Sequence, residues 1–260
     1  MQIAELRPFG YAVSQLSIAE LSTAALMQVR DLVTRAGVVV IRDQVISDDR
    51  FVSFLERLAP LTFTVGETPV AGQPKLNVVT NVGRDRPPRS VFHSDTSYVR
   101  QPPSFTALRV VAVPSQGGAT LFSNQYRAYD ALSETLRHQL KRARVRHEVS
   151  GLTLDESAES GCWHPLFRRH PETNRTALYL STPERCVALD GAAVADPQRL
   201  LVELYEQATR PEELLTHRWQ PGDVVLWDNR CTMHRADHSA VVGDRVLHRG
   251  MCAGEKPLAA

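Results

Sequence analysis

Lysine is nearly absent from this 260-residue chain: Lys75, Lys141 and Lys256 are the only three among thirty basic residues, against twenty-nine acidic ones, for a formal net charge of +1. With the charges balanced and no run of one sign, the chain lacks the electrostatic face of a dedicated nucleic-acid or membrane-surface protein. Cysteine is also sparse. Cys162, Cys186, Cys231 and Cys252 lie far apart with no C-x-x-C pair, so no disulfide framework organises the fold, and the expected state is reduced thiols in a cytoplasmic protein. No apolar stretch approaches the roughly 18 residues of a membrane span, and the opening MQIAELRPFGYAVSQLS lacks the layout of a secretory signal. No repeat or low-complexity linker divides the sequence. One domain over residues 1–260 is expected, and 43% hydrophobic residues exclude disorder as the main state.

What is present reads as a strand-rich core with helices laid over it. From Ser17 to Ala36 the apolar residues Ile18, Leu21, Leu26, Val29 and Val33 recur at helical spacing and Gly37 closes the segment. VVVIRD at 38 to 43 is a buried-strand run, and Ser47-Asp48-Asp49 opens a second helix carrying Phe51, Phe54, Leu55 and Leu58. Further strands are expected at 76 to 82, 105 to 113, 144 to 149, 176 to 181, 187 to 190, 223 to 229 and 244 to 253. Helical patterns cover Ser123 to Leu132, Ser133 to Lys141 and Pro197 to Thr209. The apolar stripe at 195 to 209 is expected to pack into the core, with assembly as the alternative use.

Chemistry concentrates in a few residues. His93 and Asp95 stand two apart, and on an extended backbone both point to one side. A lone His-x-Asp is more often a surface hydrogen bond than a metal site. A third donor comes 141 residues later, at His234, directly after the strand-like DVVLW. Two histidines and a carboxylate on one face suit Fe(II) in oxygen-activating sites, and zinc accepts the same set. Beyond His234 a strand places Arg245, Leu247 and Arg249 on one face and Val246 and His248 on the other. Two guanidinium groups facing one interior are costly unless anions meet them. A dicarboxylate and an acidic substrate are one source of such anions; surface Asp or Glu is the commoner one.

The segments FHSDTSYV at 92 to 99, PSQGGATLF at 114 to 122, WQPGDVVLWDNRCTMH at 219 to 234 and DRVLHRG at 244 to 250, with VVVIRDQVIS at 38 to 47, resemble the TauD/TfdA family of Fe(II)- and 2-oxoglutarate-dependent dioxygenases, in order across residues 37 to 253. The resemblance implies a mainly β fold with flanking helices around a double-stranded β-helix, the jelly-roll core. It implies His93, Asp95 and His234 as iron ligands and as the catalytic centre, with 2-oxoglutarate and O2 as cosubstrates. Thr120 and Arg245 would hold the far carboxylate of 2-oxoglutarate. Arg249, fifteen residues after His234, matches the position that binds an acidic substrate group, so the expected partner is a small anionic carboxylate- or sulfonate-bearing metabolite; relatives also imply a homo-oligomer.

Thr96 and Tyr98 are candidate substrate contacts. Asn81 and Arg89 are weaker candidates, better explained by packing or solvation. The family's GGDT reads Gly117-Gly118-Ala119-Thr120, which loses an acid and keeps the threonine, and the stretch from Thr62 to Arg89 offers no match to a taurine-type pocket. The implied outcome is hydroxylation of a C–H bond with release of succinate and CO2. Asp95 argues against halogenation, because halogenating relatives lack that carboxylate. Desaturation, cyclisation or isonitrile formation on an amino-acid derivative share the same first step. A zinc-dependent hydrolase and a metal- and anion-binding sensor are the readings from other classes. His238 is expected on the solvent side, Cys162 in a connecting segment, and Trp227 packed beside the metal strand.

Overall fold

The strand Val38–Ile41 is buried at every position because both faces of its sheet are covered. In this computed structural model, which describes residues 1–64, 66–84, 90–151 and 158–260, Val39 and Ile41 pack with Val224, Leu226, Phe105 and Ala107 beneath the helices Thr23–Ala36 and Asp48–Glu56. Val38 and Val40 point the other way and join Val225, Trp227, Leu108 and Leu247. The period of two thus feeds two cores from one strand, which is why the run carries no polar interruption.

This strand belongs to a nine-stranded sheet in the order Gln2–Glu5, Tyr11–Ser14, Val38–Ile41, Val224–Asp228, Phe105–Ala112, Val246–Cys252, Gln73–Thr80 and Pro69–Val70, with Leu61–Thr62 pairing Val246–Cys252. Its inward face is closed by a three-stranded sheet of Leu214–His217, Thr120–Asn124 and Thr232–Ala236. Phe122 and Leu215 of that smaller sheet enter the Trp227 core. The two layers give the mainly β, jelly-roll architecture expected from the sequence. On the far side of the smaller sheet, Leu121 and Met233 pack against Leu201, Leu204 and Ala208 of the helix Pro197–Ala208, so the apolar stripe of that helix is used in the core.

Local signals set several boundaries. The helix expected from Ser17 starts at Thr23: Ile18–Glu20 is a separate 3-10 turn, and the Ser22 hydroxyl accepts the Ala25 N–H to cap the α-helix. Likewise Ser123 and Asn124 end a strand instead of opening a helix, and Asn124 Oδ1 accepts the N–H groups of Tyr126 and Arg127 at the start of Gln125–Asp130. At Gly250 a Cβ would lie 2.2 Å from Leu55 Cδ1, so glycine lets the second helix rest directly on the strand that carries Arg249 without displacing Leu55.

Candidate active site

The alternation that builds the cores also aims the polar residues. Thr120, Phe122 and His234 point into the space between the sheets, with His234 paired to Phe122 and Ala236 to Thr120. His93 joins this smaller sheet through a single bridge: its N–H donates to the His234 carbonyl and the His234 N–H donates back, each at 3.0 Å. Paired residues place their side chains on one side, and the two rings lie 4.4 Å apart, centroid to centroid. The extended backbone expected through Asp95 lasts only for that bridge. A turn comes next, with Thr96 at φ +44°.

One oxygen of Asp95, Oδ1, lies 3.6 Å from His93 Nε2 and 3.9 Å from His234 Nε2. Both distances are too long for hydrogen bonds, and one donor atom from each of the three residues falls within 4.8 Å of the others. The spacing is that of three donors without a shared proton. Both imidazoles can offer lone pairs. His93 Nδ1 lies 3.0 Å from the Val91 carbonyl and donates to it as the N–H tautomer, which leaves Nε2 free. Burial brings the pKa of His234 down to about 3 even beside Asp95. Burial would raise the Asp95 carboxyl, but His234, His93 and the Arg249 guanidinium outweigh it and hold the group well below the usual carboxylate range.

Behind Asp95 runs a buried relay that sequence reasoning missed. The Thr106 hydroxyl donates to Asp95 Oδ2 at 2.7 Å and accepts from Asn229 Nδ2 at 2.7 Å, while Trp227 Nε1 donates to Asn229 Oδ1 at 2.9 Å. Asn229 stands inside WDNRCTMH, but nothing in the sequence pairs it with Thr106, 123 residues away. The Trp227 ring also lies against the His234 ring, 4.5 Å between centroids and tilted by 51°.

Arg245 is 1% exposed and has no carboxylate partner among the described residues. Its Nε donates to the Gly118 carbonyl at 2.8 Å, its Nη2 to Thr120 Oγ1 at 3.2 Å, and its Nη1 has no partner. Burial lowers its pKa to about 10. Trp219 Nε1 also donates to Thr120 Oγ1, at 3.1 Å, so the threonine receives two protons and keeps its own to give away. Gly118 makes room for this arrangement: it sits at φ +74°, and a Cβ there would lie 2.9 Å from Arg245 Cδ. A buried guanidinium with an unused N–H is costly unless an anion completes it, and an anionic carboxylate matches the donor set of Arg245 and Thr120.

Arg249 differs. Its Nη2 meets Glu67 Oε1 at 3.0 Å and its Nη1 meets Asp95 Oδ1 at 3.5 Å, while Nε is buried without a partner. Arg245 and Leu247 do share an inward face, and His248 turns outward to Asp48 at 2.8 Å.

His93, His234, Thr120, Arg245, Arg249 and Glu67 line one cavity of about 250 Å³, smaller than the ~300–1,000 Å³ of pockets for drug-sized ligands and suited to small metabolites. His238 also lines it and is half-buried near Arg245, a correction to its expected place on the solvent side. Thr96 and Tyr98 line a second cavity of about 250 Å³, with Phe63, Thr64 and Met251. Asn81 is structural, its Oδ1 accepting the Arg245 N–H at 2.8 Å. Arg89 lies outside the described residues. Cys162 sits half-buried on the strand Gly161–Pro165, and burial pushes its thiol pKa up, away from nucleophilic use.

A jelly roll holding two histidines, a carboxylate and an adjoining buried arginine defines the non-haem iron class of oxygenases. The family model of the taurine catabolism dioxygenase TauD, TfdA family matches residues 2–251. The chain is 30% identical over 270 residues to an alpha-ketoglutarate-dependent 2,4-dichlorophenoxyacetate dioxygenase of Cupriavidus pinatubonensis, covering 93% of each. It is 28% identical over 267 residues to the (S)-phenoxypropionate/alpha-ketoglutarate-dioxygenase of Sphingobium herbicidovorans, covering 95% of this chain and 92% of the relative. The crystal structure of AAD-2 in complex with Mn(II) and N-oxalylglycine superposes with a TM-score of 0.85 at 28% identity, covering 98% of both chains. The chain belongs to the TauD/TfdA family. It is an Fe(II)- and 2-oxoglutarate-dependent dioxygenase, with O2 as its other cosubstrate. No helix among the described residues is long and apolar enough to cross a membrane.

Proposed function

We propose that residues 1–260 act as one catalytic domain in which His93, Asp95 and His234 hold Fe(II), Thr120 and Arg245 hold the far carboxylate of 2-oxoglutarate, and Arg249 receives the acidic group of a small carboxylate- or sulfonate-bearing substrate. The reaction is hydroxylation of a substrate C–H bond with release of succinate and CO2. The observation that carries this reading is Arg245: a buried cation with an unused N–H, in the same cavity as His93 and His234. Relatives named for phenoxypropionate and dichlorophenoxyacetate, both carboxylates, support an anionic substrate.

Iron with 2-oxoglutarate and O2, when bound, supplies the oxidising power for the C–H bond. The chain supplies orientation. Val91 fixes the His93 tautomer and Thr106 fixes the Asp95 carboxylate, so that two neutral nitrogens and one anionic oxygen are presented together. Arg245 and Thr120 bring the unused Nη1 and the free threonine proton to one carboxylate. Trp227 and Leu108 form an apolar wall that limits water at the reacting carbon. Thr96 and Tyr98, in the cavity with Phe63 and Met251, are assigned to the apolar body of the substrate.

Replacing Arg245 by Ala tests the central assignment. The apparent affinity for 2-oxoglutarate, read from succinate production at saturating Fe(II), is expected to fall by about 100-fold, the worth of charge-assisted hydrogen bonds of ~1.5–3 kcal/mol. Unchanged affinity would remove Arg245 from the cosubstrate site.

A further inference from the structure

The turn that carries Asp95 leaves the sheet after one bridge at His93, so no strand ladder orients the residues that follow, and their buried polar groups need other partners. Those partners come from a separate three-stranded sheet of Gly161–Pro165, Arg144–Glu148 and Cys186–Asp190, and from the segment that leads into its last strand. His164 Nε2, as the N–H tautomer, donates to the Val99 carbonyl at 3.0 Å, and His147 Nδ1 lies 3.0 Å from the Ser97 hydroxyl. Ser94, the residue between the two ligands, is buried, and its hydroxyl donates to the Leu180 carbonyl at 2.9 Å. Its own carbonyl accepts from Arg185 Nη1 at 3.2 Å.

Arg185 does more at this position than make one hydrogen bond. It is 9% exposed, its guanidinium carbon lies 5.3 Å from the centre of the Tyr98 ring, and its Nε is buried without a partner. Tyr98 in turn lines the second cavity, beside Thr96 and Phe63. One side chain thus holds the metal turn at its middle residue and backs a ring on the wall of that cavity. A neutral amide would hold a carbonyl at a smaller desolvation cost than a buried cation. The Asp95 carboxylate favours the charged guanidinium, so the cation serves the ligand itself as well as the Ser94 carbonyl beside it.

We infer that Arg185 is a positioning residue of the iron site: through the Ser94 carbonyl it fixes the spacing of His93 and Asp95, and through the Tyr98 ring it ties that spacing to the wall of the second cavity. This rests on His93, Asp95 and His234 as the iron seat and adds to it a group that touches neither metal nor cosubstrate. Without Arg185 the turn keeps its outer anchors at Ser97 and Val99 but loses the one on the backbone between the ligands, so the two donor atoms must be brought into place by the ion.

Calorimetric titration of Mn(II) into the metal-free protein, at a temperature where thermal melts show every variant folded, tests this without turnover. Arg185→Met keeps an unbranched side chain against Tyr98 and removes both the charge and the donors; its Mn(II) affinity is expected to fall by about 10- to 100-fold, the range typical of outer partners. Arg185→Lys, which retains the charge and one reaching donor, should recover part of the loss. At saturating Mn(II) the affinity for N-oxalylglycine should change little, because Arg245 and Thr120 are untouched. Arg168→Met is the control for plain loss of a buried arginine: Arg168 is 0% exposed, gives its hydrogen bond to Glu255 at 2.6 Å and lies over Tyr179 at 4.8 Å, and its loss should lower the melting temperature with Mn(II) affinity unchanged. Should Arg185→Met not fold, Arg185→Gln carries the same expectation, since its shorter amide stops short of the Ser94 carbonyl. Unchanged Mn(II) affinity in the folded Arg185 variant, or an equal loss in Arg168→Met, would overturn the inference and leave Arg185 a packing residue. A His234→Ala protein that binds Mn(II) as well as the unaltered one would overturn the iron seat itself, a distinct failure.

Discussion

Thr106→Val removes one oxygen from the interior and keeps the side-chain shape. In the folded chain that oxygen donates to Asp95 Oδ2 and accepts from Asn229 Nδ2, both at 2.7 Å, at a position that is 0% exposed. Losing a hydrogen bond to a buried carboxylate costs ~1.5–3 kcal/mol, and leaving the Asn229 amide N–H without its acceptor costs ~1–3 kcal/mol more. Because the two losses share one hydroxyl, a net destabilisation of about 2–4 kcal/mol is expected. For a chain of this length that corresponds to a fall in Tm of roughly 4–16 °C. The bond exists with or without metal, so its loss acts on metal binding through orientation: the Asp95 carboxylate becomes free to rotate and must be ordered by the ion. Outer partners of this kind are typically worth about 10- to 100-fold in metal affinity. Calorimetric titration of Fe(II) or Mn(II) into the apoprotein, with a thermal melt on the same sample, reads both quantities. Thr106→Ser, which retains the hydroxyl, should recover most of the metal affinity. Unchanged metal affinity in Thr106→Val, or an equal loss in both variants, would refute the orienting role and reduce the relay to packing.

Two other perturbations act on the cosubstrate seat and on the buried histidines. Gly118→Ala puts a Cβ 2.9 Å from Arg245 Cδ at φ +74°, and the backbone conformation alone costs about 1–2 kcal/mol for a residue with a side chain; the KM for 2-oxoglutarate should rise about tenfold with little change in metal affinity, as succinate assays and metal titration would show. His147 and His164 are buried, and burial lowers the pKa of His147 well below 6.5 and that of His164 to about 4. Below pH ~6.5 the unfolded chain therefore binds protons that the folded chain refuses, so this contribution to stability is whole above pH ~6.5 and is lost as pH falls toward ~4, at up to ~1.4 kcal/mol per pH unit for each histidine. Urea denaturation of the metal-free protein at pH 7.5, 6 and 5 should give a falling midpoint; a flat profile would mean that these histidines open to solvent without unfolding.

The residues that declare themselves in the sequence are those whose role is fixed by spacing along one strand. Arg245 and Leu247 share a face because they are two apart, and the run at Val38–Ile41 is unbroken because the sheet is covered on both sides. His93 and His234 require the family resemblance, since no local period links positions 141 apart, and only the fold reveals the paired N–H and carbonyl groups that join them. The short strands Thr120–Asn124 and Thr232–Ala236 look like a helix start and a loop in the sequence, because their inward positions carry Thr120, Asn124 and His234 in place of the apolar residues that mark a strand. Thr106, Asn229 and Glu67 leave no sequence signal for a different reason. Each acts with a partner distant in the chain, and a lone polar residue inside an apolar strand, a motif or a loop looks like any other until that partner is in place.

That one cavity joins an iron centre of His93, Asp95 and His234 to a 2-oxoglutarate seat on Thr120 and Arg245 is tested most directly by anaerobic addition of 2-oxoglutarate to the Fe(II)-loaded protein, read by visible absorption. The weak charge-transfer band of chelated 2-oxoglutarate should grow to saturation at one equivalent in the unaltered protein, require far more 2-oxoglutarate in Arg245→Ala, and fail to form in His234→Ala. An iron-loaded protein that develops no band, or a band that forms equally well without His234, would contradict this placement of iron and cosubstrate.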